Sequence, residues 1–148
     1  MAPYILSRLS PDALERVQEH RAAGHTTILI TGAVETLTRP LRQYFDVIVA
    51  AQLATDDEGR CTGFLARPPL VGESRSAWLK HYASLHDVDL SRSFAYADSH
   101  SDLPMLQSVG NPVAVSPDVP LMRAAQRSQW SVASWKIKPP TPRWKIPR

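Results

Sequence analysis

Two aspartates, Asp98 and Asp102, are the residues of this sequence best suited to chemistry. The short apolar run at 93–97 predicts a buried strand that ends at Asp98, and the apolar residues after Asp102 predict a helix that begins there. In a doubly wound α/β sheet, ligands bind in the crevice outside the carboxyl ends of the strands. Two carboxylates at that edge suit Mg2+, which is held by one or two carboxylates together with water and substrate phosphate.

Each aspartate also has a purely structural explanation. Asp102 stands where a helix N-cap is expected, and aspartate is a favoured N-cap residue. Asp98 can be a solvated residue at the end of a strand. The spacing of the two residues does not decide between a metal site and these ordinary roles.

The sequence around the pair is more specific than the pair itself. The run Ala-Tyr-Ala-Asp-Ser-His-Ser-Asp-Leu-Pro-Met-Leu, followed by Val-Gly-Asn-Pro-Val-Ala-Val at 109–115, resembles the fourth motif of the haloacid dehalogenase (HAD) superfamily. More narrowly, it resembles the phosphoserine-phosphatase-like branch. The resemblance implies an α/β, Rossmann-like core with a parallel sheet, and Mg2+-dependent hydrolysis of a small phosphorylated substrate. It also implies that Asp98 and Asp102 are the metal ligands.

Two further segments resemble motifs of the same family. An apolar strand that ends at Thr31-Gly32 is similar to the second motif, whose hydroxyl and backbone N–H groups bind the phosphoryl group. Arg75 stands near the start of a predicted helix, where the third motif has a phosphate-binding lysine. An arginine binds phosphate in a different geometry from lysine, and an exposed arginine in a first turn is equally ordinary. Lys80 is the second choice for this role.

The family's first motif is expected to be missing. That motif is an Asp-x-Asp on the first strand, and its first aspartate attacks phosphorus. The only aspartate upstream of Thr31 is Asp12, in a predicted helix start. The resemblance therefore implies a chain truncated at the N-terminus, without the nucleophile, the first (central) strand and most of the cap.

The missing first motif and its strand lead to expectations about assembly, activity and function. The sheet is expected to fall into two half-sheets with unpaired inner edges, which favour a homo-oligomer through those edges. These 148 residues alone are expected to show little or no phosphatase activity. A non-catalytic remnant that binds phosphate or a partner is the alternative to an enzyme.

Strands and helices are predicted to alternate along the chain, a pattern typical of parallel βαβ units. The predicted helices begin at Ser10, near Val34, at Glu73, at Asp102 and at Ser116, and the one that begins at Glu73 is predicted to end at His86. The predicted strands cover 26–30, 47–51, 93–97, 112–115 and 130–135. A hairpin attached to the edge of the sheet is predicted around Asp56-Asp57-Glu58-Gly59.

Composition separates a core from a tail. The chain has a net charge of +3, but residues 136–148 carry five basic residues and no acidic one, which leaves −2 for residues 1–135. We expect a partial hydrolase core at 1–135, a disordered, proline-rich tail at 136–148, and no nucleic-acid partner. The single cysteine, Cys61, and the lack of a long apolar run predict a cytoplasmic protein without a transmembrane segment.

Overall fold

A computed structural model describes residues 10–136. The first part contains helix α1 (Pro11–Ala22), strand β1 (Ile28–Val34), the short helix α2 (Glu35–Thr38) with a 3-10 turn (Arg39–Gln43), and strands β2 (Val47–Ala51), β3 (Leu53–Thr55) and β4 (Cys61–Leu65). The second part contains helix α3 (Glu73–His86), strand β5 (Phe94–Ala97), helix α4 (Leu103–Gln107), strand β6 (Asn111–Val115), helix α5 (Val119–Arg127) and strand β7 (Ser131–Ala133). This order confirms the predicted α/β alternation.

The helices begin where local side-chain chemistry satisfies their first N–H groups. The Ser10 hydroxyl accepts a hydrogen bond from the backbone N–H of Ala13, and proline occupies the first position of α1. The Asp118 carboxylate accepts from the N–H of Leu121 and caps α5 in the same way. Such caps can be predicted from a sequence, because the side-chain acceptor lies only three residues before the backbone N–H that donates to it.

The strands form two separate parallel sheets rather than one. In the first, β1 pairs with β2, and in the second, β5, β6 and β7 lie in that order. Within residues 10–136, β1 and β5 therefore each have a single neighbouring strand, which confirms the predicted division into two half-sheets. The hairpin β3–β4 is also confirmed, although it forms a two-stranded antiparallel sheet of its own and was expected at the edge of the main sheet.

Strand β1 is longer than the sequence indicates. A strand ending at Thr31-Gly32 was predicted, but β1 continues to Val34, which pairs with Ala51. Ile30 pairs with Val49, so three residues of β1 (31–33) lie opposite a single residue of β2. Thr31 and Gly32 therefore lie in an irregular stretch of a strand, and not at the start of a helix.

The best-packed core lies around the second sheet. Leu106 and Leu121 are completely buried, as are Ala114 and Ala125, and Ala95 of β5 joins the same cluster. In the first part of the chain, by contrast, β1 is only partly buried, and α1 has no fully buried residue. The most densely buried part of the molecule thus carries β5 and the two aspartates that follow it.

The start of β1 is tied to the start of β2 by one carboxylate. Asp46 accepts hydrogen bonds from the backbone N–H of Thr27 at 2.8 Å and from its hydroxyl at 3.0 Å. These bonds, with a smaller contribution from the nearby Arg21, lower the pKa of Asp46 below its ordinary value. Asp46 thereby fixes the position of the strand that leads to Thr31.

We expect Asp46→Ala to lower Tm by a few degrees at neutral pH, because two charge-assisted hydrogen bonds are lost. Since the folded-state pKa of Asp46 is depressed, its contribution is complete above the unfolded-state pKa and disappears as the pH falls through the folded-state pKa. The difference in Tm between wild type and variant should therefore shrink in acid. Thermal unfolding followed by circular dichroism from pH 7 to pH 2 measures it.

The control is Asp57→Ala, in the exposed turn of the hairpin. It should leave Tm nearly unchanged at every pH. A difference for Asp46→Ala that stays constant down to the lowest pH would contradict the assignment of the stabilisation to the charged form.

Candidate functional site

Asp98 lies directly after β5, at the carboxyl end of the strand, as predicted. Its side chain is exposed, and its backbone carbonyl accepts a hydrogen bond from the N–H of Asp118 at 2.9 Å. The ladder between β5 and β6 and this additional bond hold the backbone in place. The Asp98 carboxylate is thus presented to solvent from a rigid support.

A 3-10 turn, His100–Asp102, connects Asp98 to helix α4. Asp118 holds this turn as well, because its carboxylate accepts from the backbone N–H of His100 at 3.0 Å. The bonds from His100 and Leu121 lower the pKa of Asp118, so it remains a charged acceptor in mildly acidic solution. The sequence indicated Asp118 only as part of a helix start, and nothing local indicated its contact with a turn eighteen residues earlier.

Asp102 does not cap helix α4 with its side chain. Its carboxylate instead accepts a hydrogen bond from Nη1 of Arg75 at 2.6 Å, in an ion pair whose side chains are 18% (Arg75) and 8% (Asp102) exposed. The capping interpretation of Asp102 is therefore wrong. Its carboxylate is buried because a guanidinium compensates for its charge.

Arg75 is held at the start of α3 by a second bond. Its Nε donates to the backbone carbonyl of Leu70 at 2.9 Å, so two of its five N–H groups have partners in the protein. The helix follows Gly72, which has φ of 51°, a value in the left-handed region that glycine adopts readily. Lys80, the second choice for this role, is exposed.

A groove of about 630 Å³, here called the central groove, connects several of these residues. Arg75, Asp98 and Asp102 all line it. Thr31 and Gly32 are not among its lining residues, although Ile30 immediately before them is. The structure thus brings together three of the five residues predicted from the sequence.

Thr31 and Gly32 lie outside the lining of the groove, in the irregular stretch 31–33 of β1. The Thr31 hydroxyl accepts a hydrogen bond from the N–H of Ala33 at 3.1 Å, which shapes the irregular stretch of the strand. Thr31 is half-buried, and Gly32 is exposed. Their assignment as phosphate ligands stays a prediction from the second motif.

The chain does contain one Asp-x-Asp, Asp87-Val88-Asp89, so the motif is missing only from the position where the resemblance requires it. Asp87 ends helix α3 with φ of 54°, and the Asp89 carboxylate accepts from the N–H of Ser91 in the following turn. This segment precedes β5, whereas Asp98 follows it. Asp87 and Asp89 are therefore at the opposite end of the strand and cannot replace the first motif.

Comparison with known proteins assigns this arrangement to a class. The family model described as haloacid dehalogenase-like hydrolase matches residues 2–107. A solved structure of a Bordetella pertussis protein of unknown function superimposes with a TM-score of 0.73 at 28% identity, over 84% of this chain and 58% of that one. The chain therefore belongs to the haloacid dehalogenase-like hydrolases.

Curated relatives within this family are named as phosphatases. A histidinol-phosphatase of Neisseria meningitidis is 33% identical over 141 residues, which are 92% of this chain and 64% of that protein. A phosphoserine phosphatase of Mycobacterium tuberculosis is 31% identical over 124 residues, or 83% of this chain and 40% of that protein. The chain thus spans about two-fifths to two-thirds of the length of these relatives.

We expect Arg75→Met to reduce the free energy of unfolding by about 2–4 kcal/mol, because it leaves the buried carboxylate of Asp102 without its partner. Adding Asp102→Asn should recover part of the loss, since the pair interacts directly. Urea unfolding of the two single variants and the double variant measures both effects.

The matched control is Arg42→Met, which breaks an exposed ion pair with Glu35 whose side chains are 65% and 45% exposed. It should cost less than about 1 kcal/mol. Equal losses for Arg75→Met and Arg42→Met would show that the buried pair has no special role.

Proposed function

We propose that this chain is the phosphate- and metal-binding part of a Mg2+-dependent phosphomonoester hydrolase. The observation that carries the proposal is the meeting of Arg75, Asp98 and Asp102 in the central groove, beside the carboxyl end of β5. A cation and two carboxylates at this edge suit a phosphate ester and its metal ion. The phosphatase names of the relatives support the same reaction class.

Asp98 and Asp102 would hold the metal ion. Mg2+ needs only one or two carboxylates from a protein, because water and substrate phosphate complete its shell. The exposed Asp98 is available directly, whereas one oxygen of Asp102 already accepts from Arg75. No group of three potential ligands from His, Cys, Asp and Glu occurs within residues 10–136, so we expect weak binding. When bound, the ion would neutralise phosphate charge.

Thr31, Gly32 and Arg75 would bind the phosphoryl group. The guanidinium of Arg75 has N–H groups beyond the two that the protein uses, and a planar guanidinium matches the oxygens of phosphate. The Thr31 hydroxyl and the backbone at Gly32 would supply neutral donors from the irregular stretch of β1. Such donors would stabilise the negative charge of the phosphoryl group through hydrogen bonds, without forming covalent bonds to it.

The chain by itself is proposed to have little or no activity. The covalent route needs an activated carboxylate nucleophile. Asp98 and Asp102 have the role of metal ligands by resemblance, and Asp87 and Asp89 lie at the other end of β5. The names of the relatives favour a phosphatase over a non-catalytic remnant, and a small phosphorylated metabolite is the proposed substrate.

Several broader assignments belong to the same proposal. A homo-oligomer through the strand edges is supported by the single neighbours of β1 and β5 among the described strands. A cytoplasmic location is supported by the free, exposed Cys61.

No helix within residues 10–136 is long and apolar enough to cross a membrane. The proposed tail lies outside the described residues except for Lys136.

A chimera tests the proposed function. We would join this chain to the part of the Neisseria meningitidis relative that lies outside the matched 64%, and measure phosphate release from histidinol phosphate and phosphoserine with Mg2+. The chimera should hydrolyse at least one of the two, and the 148-residue chain neither. In the chimera, Asp98→Asn should reduce kcat about 100-fold or more, because charge stabilisation by the metal is lost.

Asp57→Asn, in the exposed hairpin turn, is the matched control and should leave kcat unchanged. A folded chimera that releases no phosphate would contradict the proposed function. Release of phosphate by the 148-residue chain alone, abolished by Asp98→Asn, would contradict the proposed inactivity.

A further inference from the structure

Two histidines meet at the end of helix α1, away from the two aspartates. His20 is in the last turn of α1 and His25 follows the helix, and their Nδ1 atoms lie 2.8 Å apart. Both histidines contact Phe94, the first residue of β5, whereas Asp98 follows the last residue of that strand. The proposed site for Mg2+ and phosphate therefore leaves this pair unexplained.

The backbone that ends α1 brings the two rings together. Gly24 has φ of 81°, and its N–H donates to the carbonyl of Arg21 at 3.0 Å. The N–H of His25 donates to the carbonyl of His20, also at 3.0 Å. Two such bonds and a left-handed glycine define a Schellman motif, in which the residues joined by the outer bond frequently make a side-chain contact. This sequence has a histidine at both of those positions, so the motif places two imidazoles against each other.

Strand β5 orients the pair from the other side. Nε2 of His20 lies 2.7 Å from the hydroxyl of Tyr96, and the Phe94 ring packs against both imidazoles, with centroid distances of 4.9 Å to His20 and 6.1 Å to His25. A His20 ring that donates through Nε2 to the phenol oxygen keeps its lone pair on Nδ1, the atom that faces His25. An outer partner of this kind orients the histidine ligands of metal ions.

The distance between the two nitrogens suits a metal ion that has ligands at right angles. Nitrogens bound at about 2.0–2.1 Å to one ion are about 2.8–3.0 Å apart for an angle of about 90°, and about 3.3–3.4 Å apart in a tetrahedron. The observed 2.8 Å agrees with the first range. Imidazole is a good ligand for Cu2+ and Ni2+, whose square-planar or tetragonal sites have this angle.

The charged neighbours of His20 on α1 do not oppose a cation. Arg16 is paired with Glu19 at 3.2 Å, and Arg21 is paired with Asp46 at 3.5 Å. The positive charges beside His20 are therefore compensated. The carboxyl end of α1 adds the partial negative charge of the helix dipole, which favours a cation.

We propose that His20 and His25 form a second metal site, which takes a tetragonal divalent ion, Cu2+ or Ni2+. Each histidine supplies Nδ1, and water supplies the other positions, since the described part of the chain has no group of three His, Cys, Asp or Glu ligands. In the metal-free chain one proton lies between the two nitrogens. When the ion binds, the exposed His25 carries that proton on Nε2 instead.

The bound ion joins the end of α1 to the segment before β1 and, through Tyr96, to β5. The inference does not depend on the proposed phosphatase function, because the site includes neither Asp98 nor Asp102. An ordinary hydrogen bond between two side chains at a helix end is the alternative, and it predicts no selective binding of metal.

Calorimetry with Ni2+ on the untagged 148-residue chain tests the site. We expect one site with a Kd on the order of 10 μM. His20→Gln and His25→Gln should each weaken binding at least about 10-fold, because one of two protein ligands is lost. His81→Gln, at an exposed histidine of α3, is the matched control and should bind Ni2+ like wild type. Asp98→Asn should also bind like wild type, which separates this site from the proposed Mg2+ site.

Gly24→Ala tests whether the backbone motif positions the two ligands. Alanine is strained at φ of 81°, so Ni2+ binding should weaken although both histidines remain. Gly59→Ala, at φ of 78° in the hairpin turn, introduces the same strain away from the site and should bind like wild type. Circular dichroism verifies that the variants fold. Equal binding by the two glycine variants would contradict this role of the motif.

Electron paramagnetic resonance of the Cu2+ complex counts the nitrogen ligands directly. The measurement uses the Cys61→Ser chain, because the exposed thiol would compete for copper. The spectrum should show a tetragonal site with two imidazole nitrogens. Since every histidine is retained, this spectrum tests the proposal even where a histidine variant unfolds.

Three results would overturn the proposal. One is unchanged Ni2+ binding in His20→Gln or in His25→Gln. Another is an equal loss in His81→Gln, which would mean scattered binding to surface histidines. The third is a Cu2+ spectrum with a single nitrogen ligand.

Discussion

The ion pair between Arg75 and Asp102 is the interaction on which the site depends. It joins the first turn of α3 to the turn after β5, and it is mostly shielded from water. In such surroundings each charge would pay a large desolvation cost without the other. Separating the two elements would therefore leave a buried charge without a partner. Because Asp98 is four residues from Asp102, the same contact holds together the two carboxylates that we propose as metal ligands.

The stability of the molecule is unevenly distributed in a way that serves this site. The completely buried residues cluster around β5, β6 and α5, and Asp118 ties the turn after Asp98 to the same core. Strands β1 and β2 have a parallel ladder but no comparable cluster, and one carboxylate, Asp46, holds their beginnings together. Carboxylates supported by a rigid core lose less entropy on binding an ion than carboxylates on a mobile loop.

The central groove connects the site with the division of the sheet. Two parallel half-sheets leave facing edges, and unsatisfied backbone groups at such edges are a standing cost. The groove ends beside Asp98, so whatever fills it would also complete the surroundings of the carboxylates.

The sequence by itself determined the elements and the place of the carboxylates. Caps, apolar periodicity and turn residues act over a few positions, so α3 was predicted with its observed bounds, and Asp98 at the end of its strand. The tertiary structure decided what Asp102 does, because its partner Arg75 is 27 residues away and a capping role has the same local sequence. It also decided how far β1 extends, since Val34 belongs to a strand only through its pairing with Ala51. Contacts between distant residues depend on how the elements pack, which no local pattern contains.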